Sequence, residues 1–216
     1  MPKSQKEETA LWVVFWFVTV KRDRAIINFC SSNNCMKFET TAIPDVLLLT
    51  PKIFADARGF FYESYNHKFF VEKTGLNIAF VQDNHSQSQK NVLRGLHYQI
   101  GKPQGKLVRA LAGTIQDVAV DLRQSSPTFG KSVSYILSAE NCQQMWIPVG
   151  FAHGFAVLSD IAEVAYKTTD YYAPSEERCL LWDAPEIAIA WQLDGQPILS
   201  PKDAIGKLLK EAELFA

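Results

Sequence analysis

The chain has 216 residues, 47% of them hydrophobic, and its 22 Lys+Arg nearly balance its 23 Asp+Glu. That length and apolar content suffice for one globular domain with a proper core, and the balanced charge excludes a global field that would attract nucleic acid or an anionic membrane surface. The four cysteines, Cys30, Cys35, Cys142 and Cys179, lack the CxxC or Cys/His spacing of zinc sites, so we expect reduced thiols in a cytosolic protein.

The first 35 residues contain an apolar run at positions 10–20. This run is too short for a transmembrane helix, which needs about 20 apolar residues. The segment before it has no net positive charge and no A-x-A cleavage site follows it, which argues against a signal peptide. We expect Met36 to be the true start of the protein and residues 1–35 to be a non-native or disordered extension without function.

From residue 45 onwards, short β-rich runs alternate with turn residues, which predicts an antiparallel sandwich or barrel, preferably a jelly roll, rather than a βαβ fold. A short helix is predicted over His67–Thr74 with Gly75 as its C-cap, and a C-terminal helix is predicted to begin at Ser200 with Pro201 in its first turn. The predicted strands cover residues 46–50, 60–65, 78–82, 92–99, 106–112, 114–122, 131–137, 143–148, 155–158 and 163–168.

Barrels with polar interiors usually hold a ligand, and three segments are polar where strands are usually apolar: residues 56–63, 82–86 and 94–99. The third contains His97. A lone histidine is often a core residue whose ring nitrogens are both hydrogen-bonded. The neighbours of His97, however, are Arg94, Tyr98 and Gln99, which favour a functional site. Strict alternation puts Arg94 and His97 on opposite faces, so a shared site requires a bulge or twist at Gly95.

Four acidic and basic candidates keep a structural alternative. In the strand over 114–122, alternation puts Asp117 and Asp121 on one face, which either lines the interior or belongs to a solvated outer surface. His153 follows a turn and is suited to a hydrogen bond with a buried carboxylate such as Asp117. Asp203 stands in the first turn of the predicted C-terminal helix, where a carboxylate stabilises the helix N-terminus.

Four basic residues, Arg58, Arg94, Lys106 and Arg109, are scattered along the chain. Each alone is most simply a surface charge, but together they suit a pyrophosphate. The sequence has no G-x-G-x-x-G after a strand, and Gln104-Gly-Lys lacks the rest of a phosphate-binding P-loop. Dinucleotide and ATP sites are therefore not expected.

Taken in order, nine segments of the chain resemble the dTDP-4-dehydrorhamnose 3,5-epimerase family. The resemblance covers residues 36 to about 214 and implies a mainly β, cupin-type jelly-roll barrel that forms a homodimer and uses no metal or nucleotide cofactor. Residues 36–216 are then expected to form a single epimerase domain. The segments are DARGFFYESYN, FVQDNHS, NVLRGLHYQ, QGKLVR, DVAVDLR, SPTFG, IPVGFAHGF, YKTTDYY and LSPKDA.

The same resemblance implies the roles of individual residues. His97 is the general base, with Asp203 as the carboxylate that orients it; Lys106 stabilises the enolate oxygen at C4. Tyr166 delivers a proton from the opposite face, although a tyrosine in an aromatic-rich strand is most simply a packing residue. Asp117 becomes an interior partner of His153. The positions implied to hold or frame the nucleotide sugar are Arg58, Phe61, Glu63, Gln82, Asn84, Arg94, His153 and Tyr172.

The implied reaction epimerises C3 and C5 of dTDP-4-keto-6-deoxyglucose, on the route to bacterial surface polysaccharide. A metal-dependent cupin is a rival, because residues 148–153 resemble the second cupin metal motif. The first motif needs His-x-His, however, and here His97 is followed by Tyr98 and Gln99. An enzyme that inverts one carbon, a ketoisomerase acting on a related dTDP sugar and a non-catalytic binding module are further alternatives.

Overall fold

The computed structural model describes residues 36–216, which form thirteen β-strands, one α-helix and three short 3-10 turns. The helix α1 covers His67–Thr74, and the turns cover Pro174–Glu176, Asp203–Ile205 and Leu209–Glu211. The strands are β1 (Lys37–Thr40), β2 (Leu47–Thr50), β3 (Phe54–Asp56), β4 (Gly59–Phe61), β5 (Gln82–Gln89), β6 (Leu93–Gln99), β7 (Lys106–Ala112), β8 (Thr114–Asp121), β9 (Ser132–Ser138), β10 (Gln144–Ile147), β11 (Phe151–Val157), β12 (Ile161–Thr168) and β13 (Glu177–Cys179).

Two antiparallel sheets make up most of the molecule. One has six strands in the order β1-β2-β10-β7-β12-β5, and the other has five in the order β13-β6-β11-β8-β9. Strands β3 and β4 form a separate hairpin. Because consecutive strands repeatedly change sheet, as they do in jelly rolls, the predicted mainly β jelly-roll architecture is confirmed.

The main apolar core contains residues of both sheets, and each sheet also has a covered outer face. On β8, Ile115 and Ala119 belong to the main core, whereas Val118 and Val120 face a second cluster under the C-terminal segment. Both faces of β8 are therefore buried. Asp117 and Asp121 have no exposed surface, so the alternative of a solvated outer face is wrong.

Two strand predictions fail around the polar segments. The predicted strand over 78–82 is wrong: Ile78 and Phe80 pack with Phe70 of α1, and it is residues 82–89 that pair with β12. The predicted strand over 60–65 shortens to β4, which pairs only with β3. The sequence of neither segment indicates which strand it pairs with.

The two helix predictions have opposite outcomes. Helix α1 has the predicted bounds, and Gly75 caps it with φ 71° while donating its N–H to the Val71 carbonyl at 2.8 Å. The C-terminal helix is wrong, because only the Asp203–Ile205 turn forms there. The chain then becomes extended, since Lys207 pairs with Leu180 beside β13.

The expectation for residues 1–35 concerns a segment outside the described residues. Within residues 36–216, the structure contains no helix with the length and apolar character needed to cross a membrane.

Candidate active site

A cavity of about 330 Å³ lies between the two sheets. Both sheets contribute polar side chains to its wall, which is the arrangement expected of a site for a polar ligand. Strands β6, β11 and β13 supply Arg94, His97, Tyr98, Gln99, His153, Phe155 and Glu177; strands β5, β7 and β12 supply Gln82, Asn84, Ser86, Lys106 and Tyr166; and loops supply Gln104 and Tyr172.

A bulge in β6 brings Arg94 and His97 to the same cavity. His153 on β11 lies opposite His97, but Phe155, two residues on, lies opposite Arg94, so β6 has one extra residue between them. Gly95 has φ 116°, and a Cβ there would lie 2.6 Å from the Cα of Gly154. Glycine is therefore required at this close approach of two backbones, and the predicted bulge is confirmed.

His97 is paired with a buried carboxylate. Its Nε2 lies 2.7 Å from Oδ1 of Asp203, with 28% of the His97 side chain exposed and only 4% of that of Asp203. Nε2 is buried on this side of the ring and is in ion-pair contact with the carboxylate. The imidazole therefore keeps one side towards the cavity and the other towards a fixed carboxylate.

The carboxylate of Asp203 is held by several donors. The hydroxyl of Ser200 donates to Oδ2 at 2.6 Å, and the N–H of Gly95 donates to Oδ1 at 3.2 Å. Burial alone would raise the pKa of Asp203, but contact with His97 and these hydrogen bonds outweigh it and lower the pKa to about 2. The N–H of Asp203 also donates to the Ser200 hydroxyl at 3.2 Å, so these contacts stabilise a turn rather than the predicted helix.

Lys106 and Tyr166 enter the cavity from the opposite sheet. Burial lowers the pKa of Lys106 to about 8, although the charges of Asp117 and Glu177 oppose the shift. The ammonium donates a hydrogen bond to the backbone carbonyl of His97 at 3.3 Å, so it stands beside the imidazole-bearing strand. Burial also raises the pKa of Tyr166, which keeps its phenol protonated at neutral pH.

A second histidine pair lies beneath the first. His153 Nε2 is hydrogen-bonded to Oδ1 of Asp117 at 2.7 Å, as predicted, and both side chains are buried. Burial lowers the pKa of His153, and the charge of Asp117 opposes the shift.

Side-chain amides and a tyrosine form another wall of the cavity. The amide of Gln82 donates to Asn84 at 2.9 Å, and its oxygen accepts the N–H of Tyr172 at 3.0 Å. The Tyr172 hydroxyl donates to Glu177 at 2.6 Å, and Lys202 pairs with the same carboxylate. This wall offers an aromatic ring together with donors and acceptors for a polar ring system.

Several predicted residues lie away from the cavity. Arg58, Phe61 and Glu63 belong to the exposed β3–β4 hairpin or the segment after it, where Arg58 is paired with Asp56. Arg109 lies in a separate small cleft. The four basic residues do not gather into one cluster in a single chain, because only Arg94 and Lys106 line the cavity.

Other residues of the wall were given no individual role by the sequence prediction. Ser86 had a usable signal, because it continues the two-residue alternation of Gln82 and Asn84 along β5. Glu177 had none, because β13 has only three residues and is recognisable only from its pairing with β6. Tyr98 and Gln99 were named only as neighbours that favour a site at His97, and Gln104 and Phe155 were not assigned to the cavity.

Comparison with known proteins gives a consistent result. A family model described as dTDP-4-dehydrorhamnose 3,5-epimerase matches residues 40–211. The enzyme of that name from Pseudomonas aeruginosa is 59% identical over 180 residues, which cover 83% of this chain and 99% of that protein.

Two solved structures show the range of similar proteins. A crystal structure of dTDP-6-deoxy-D-glucose-3,5-epimerase from Legionella pneumophila in complex with dTDP-4-keto-L-rhamnose has 54% identity and a TM-score of 0.81, covering 82% of this chain and 95% of that one. A 3′-monoepimerase from Streptomyces bikiniensis in complex with dTDP-quinovose has 31% identity and a TM-score of 0.75, covering 79% of this chain and 87% of that one. The chain therefore belongs to the dTDP-4-dehydrorhamnose 3,5-epimerase family.

Proposed function

We propose that the protein converts dTDP-4-dehydro-6-deoxy-D-glucose to dTDP-4-dehydro-L-rhamnose by inverting C3 and C5, in dTDP-L-rhamnose biosynthesis. The observation that carries this proposal is the division of the cavity wall between the sheets. His97, backed by Asp203, stands on one sheet, and Tyr166 stands on the other. A keto-sugar ring held between them meets a base on one face and an acid on the other, as inversion requires.

The first step is removal of a proton from a carbon next to the ketone. Imidazole is the side chain best suited to accept a proton near neutral pH, and general-base catalysis typically contributes about 10² to 10⁴ in rate. His97 lines the cavity and accepts the proton, while the Asp203 carboxylate stabilises the imidazolium that results. The electron pair of the broken C–H bond moves into the enolate.

The enolate oxygen needs a positive charge or hydrogen-bond donors close to it. Lys106 supplies an ammonium from the facing sheet, and placed donors of this kind are worth about 2.7 to 4 kcal/mol each in enzymes. Tyr166 then returns a proton from the opposite face. No electron leaves the substrate, so the balance of the reaction requires no redox cofactor.

A heavy-water experiment tests this function. The protein is incubated with dTDP-4-keto-6-deoxyglucose in D₂O and followed by NMR; we expect deuterium at both C3 and C5 and formation of the rhamno-configured product. Deuterium at one carbon would replace the proposal with a single-carbon epimerase, as in the Streptomyces relative. A keto group that migrates would indicate a ketoisomerase, and binding without exchange would indicate a binding module.

Replacing Tyr166 with Phe separates the two proton transfers. The variant retains His97 and the binding wall, so we expect deuterium washed into recovered substrate to persist while product formation falls. A matched control is Tyr172→Phe, which removes a hydroxyl bonded to Glu177 and should mainly raise KM. Equal loss of washout and product in Tyr166→Phe would exclude its assignment as the opposite-face acid.

We further propose that the enzyme works as a homodimer in which the β3–β4 hairpin reaches the partner's cavity. Phe60 and Phe61 are 66% and 70% exposed, which is unusual for adjacent large aromatic residues on a monomer surface. Arg58 and Glu63, predicted to hold the nucleotide sugar, are exposed on the same part of the chain. If the hairpin enters the partner's cavity, the exposure of Phe60 and Phe61 is explained. The distance of Arg58 and Glu63 from the cavity of their own chain is explained as well.

Mixing two inactive variants tests the crossed arrangement. Arg58→Ala and His97→Ala are each expected to be inactive as homodimers. In a mixed dimer, one site combines an intact His97 with the intact Arg58 of the other chain, so activity should return. If Arg58 instead acts within its own chain, both sites of the mixed dimer remain defective and no activity returns.

We also place the enzyme in the cytoplasm. Cys142 and Cys179 are free thiols, as expected in a reducing compartment.

A further inference from the structure

The described residues contain one group of three potential metal ligands, and it includes the base assigned above. A ring nitrogen of His97, the Sγ of Cys179 and a carboxylate oxygen of Asp203 all lie within 4.8 Å of one another. We propose that this triad is an inhibitory site for Zn²⁺. The proposal rests on the proposed function only for its kinetic readout, because metal binding is measurable without turnover.

The position of Cys179 follows from strand pairing. Cys179 on β13 lies directly opposite His97 on β6. The neighbouring pair, Leu96 and Leu180, exchanges both backbone hydrogen bonds, so His97 and Cys179 form a non-hydrogen-bonded pair. Side chains approach each other most closely at such pairs. The thiol is therefore held beside the imidazole by the sheet itself.

The other two ligands, His97 and Asp203, are also positioned to bind a cation. Nε2 of His97 is buried 2.7 Å from Oδ1 of Asp203, so a nitrogen and an oxygen donor already lie side by side. The Asp203 carboxylate is fixed by the Ser200 hydroxyl and the Gly95 N–H, which are the outer contacts that orient metal ligands in proteins. Three protein ligands and one water make a common tetrahedral zinc set.

The donor set selects the metal. A nitrogen, a thiolate sulfur and one carboxylate oxygen suit Zn²⁺, whereas Mg²⁺ and Ca²⁺ prefer oxygen donors alone. Binding requires the Cys179 thiol to release its proton to solvent, because the thiolate is the ligand. Cys179 does not line the cavity and has no part in the proposed epimerisation.

Occupation of this site removes the base. A neutral imidazole has one nitrogen lone pair, and coordination to Zn²⁺ uses it while the other nitrogen keeps its proton. His97 can then accept no proton from the sugar. The enzyme should therefore lose activity when zinc binds and regain it with a chelator, which is the opposite of the behaviour of a metal-dependent cupin.

Variants of the two described cysteines test the site. We expect Zn²⁺ to inhibit the wild type reversibly and to inhibit Cys142→Ala equally. Cys179→Ala should keep the activity measured in chelator but require more than about 100-fold more Zn²⁺ for inhibition, since loss of even an outer-shell contact weakens metal sites by about 10 to 100-fold. Cys179→Ser keeps the side-chain volume and should behave likewise if Cys179→Ala folds poorly.

Cobalt spectroscopy gives a readout independent of catalysis. Co²⁺ added to the full chain should produce a thiolate-to-cobalt charge-transfer absorption whose intensity falls in Cys179→Ala and not in Cys142→Ala. Cys30 and Cys35 are present in all these proteins and contribute equally to the background. Equal cobalt absorption and equal zinc inhibition in the wild type and Cys179→Ala would overturn the proposal, whether or not the epimerase assignment is correct.

Discussion

The histidines of two His–Asp pairs lie side by side on the five-stranded sheet, and only His97 is substantially exposed. In both, Nε2 of the histidine is 2.7 Å from Oδ1 of the aspartate, and His97 and His153 are directly opposed on neighbouring strands. The His97 side chain is 28% exposed and the His153 side chain 7%. Equal distances therefore do not imply equal roles.

The aspartates also differ in origin. Asp117 belongs to β8, the strand next to β11, so its contact with His153 is built into the sheet. Asp203 comes from a turn late in the chain and reaches β6 across the fold. We call His153–Asp117 the sealed pair, because both side chains are buried and only His153 touches the cavity wall. We call His97–Asp203 the open pair, because it joins the C-terminal segment to the cavity. Replacing the members of each pair one at a time should separate catalysis from stability.

The largest effect is expected at the open histidine. His97→Asn should lower kcat by about 10³, within the range for loss of a general base, because the other histidine of that sheet, His153, is buried and bonded to Asp117. Binding of dTDP and the midpoint of urea unfolding should change little. His153→Asn is the matched control and should lower stability more than His97→Asn does. Retained deuterium exchange in His97→Asn would remove His97 from its assigned role.

The next largest effect is expected at the open aspartate. Asp203→Asn keeps the side-chain volume but removes the charge that stabilises an imidazolium at His97, so kcat should fall by roughly 10² with KM nearly unchanged. Asp203 acts through His97 and is a positioning residue. Asp203→Glu should restore part of the activity, which a purely structural role in the turn would not predict. A variant that loses stability and activity in proportion would favour the structural role.

Replacement of Asp117, the aspartate of the sealed pair, is expected to lower stability without a large change in catalysis. Asp117→Asn removes a charged acceptor from a buried hydrogen bond, which costs about 1.5 to 3 kcal/mol of unfolding free energy. Urea unfolding measures it. At a temperature where the variant remains folded, kcat should stay within a few-fold of wild type. A loss of kcat as large as that of Asp203→Asn would mean that the sealed pair also takes part in proton transfer.

The two His–Asp pairs also differ in how far their positions can be predicted from the sequence. Alternation along β8 predicted that Asp117 and Asp121 share a face with Ile115, because local periodicity decides which way a strand residue points. The His97–Asp203 contact spans 106 positions, and no local pattern carries it. The His97–Asp203 contact could be predicted only from the resemblance to a known family. Where local and long-range demands compete, as at Ser200–Asp203, the local helix signal gave the wrong structure.

The smallest expected effect is a difference in the pH dependence of stability. Burial lowers the pKa of His153 in the folded state, with Asp117 opposing the shift and Lys106 and His97 adding to it. The unfolded chain therefore binds the proton first, so stability is lost as pH falls below the unfolded value of about 6.5. The slope is at most about 1.4 kcal/mol per pH unit.

His153→Gln removes the titrating group, and urea unfolding between pH 7 and about 5 should show a shallower decline in stability than the wild type does. An unchanged slope would mean that His153 has the same pKa in the folded and unfolded chain, so that the Asp117 charge fully offsets the effect of burial.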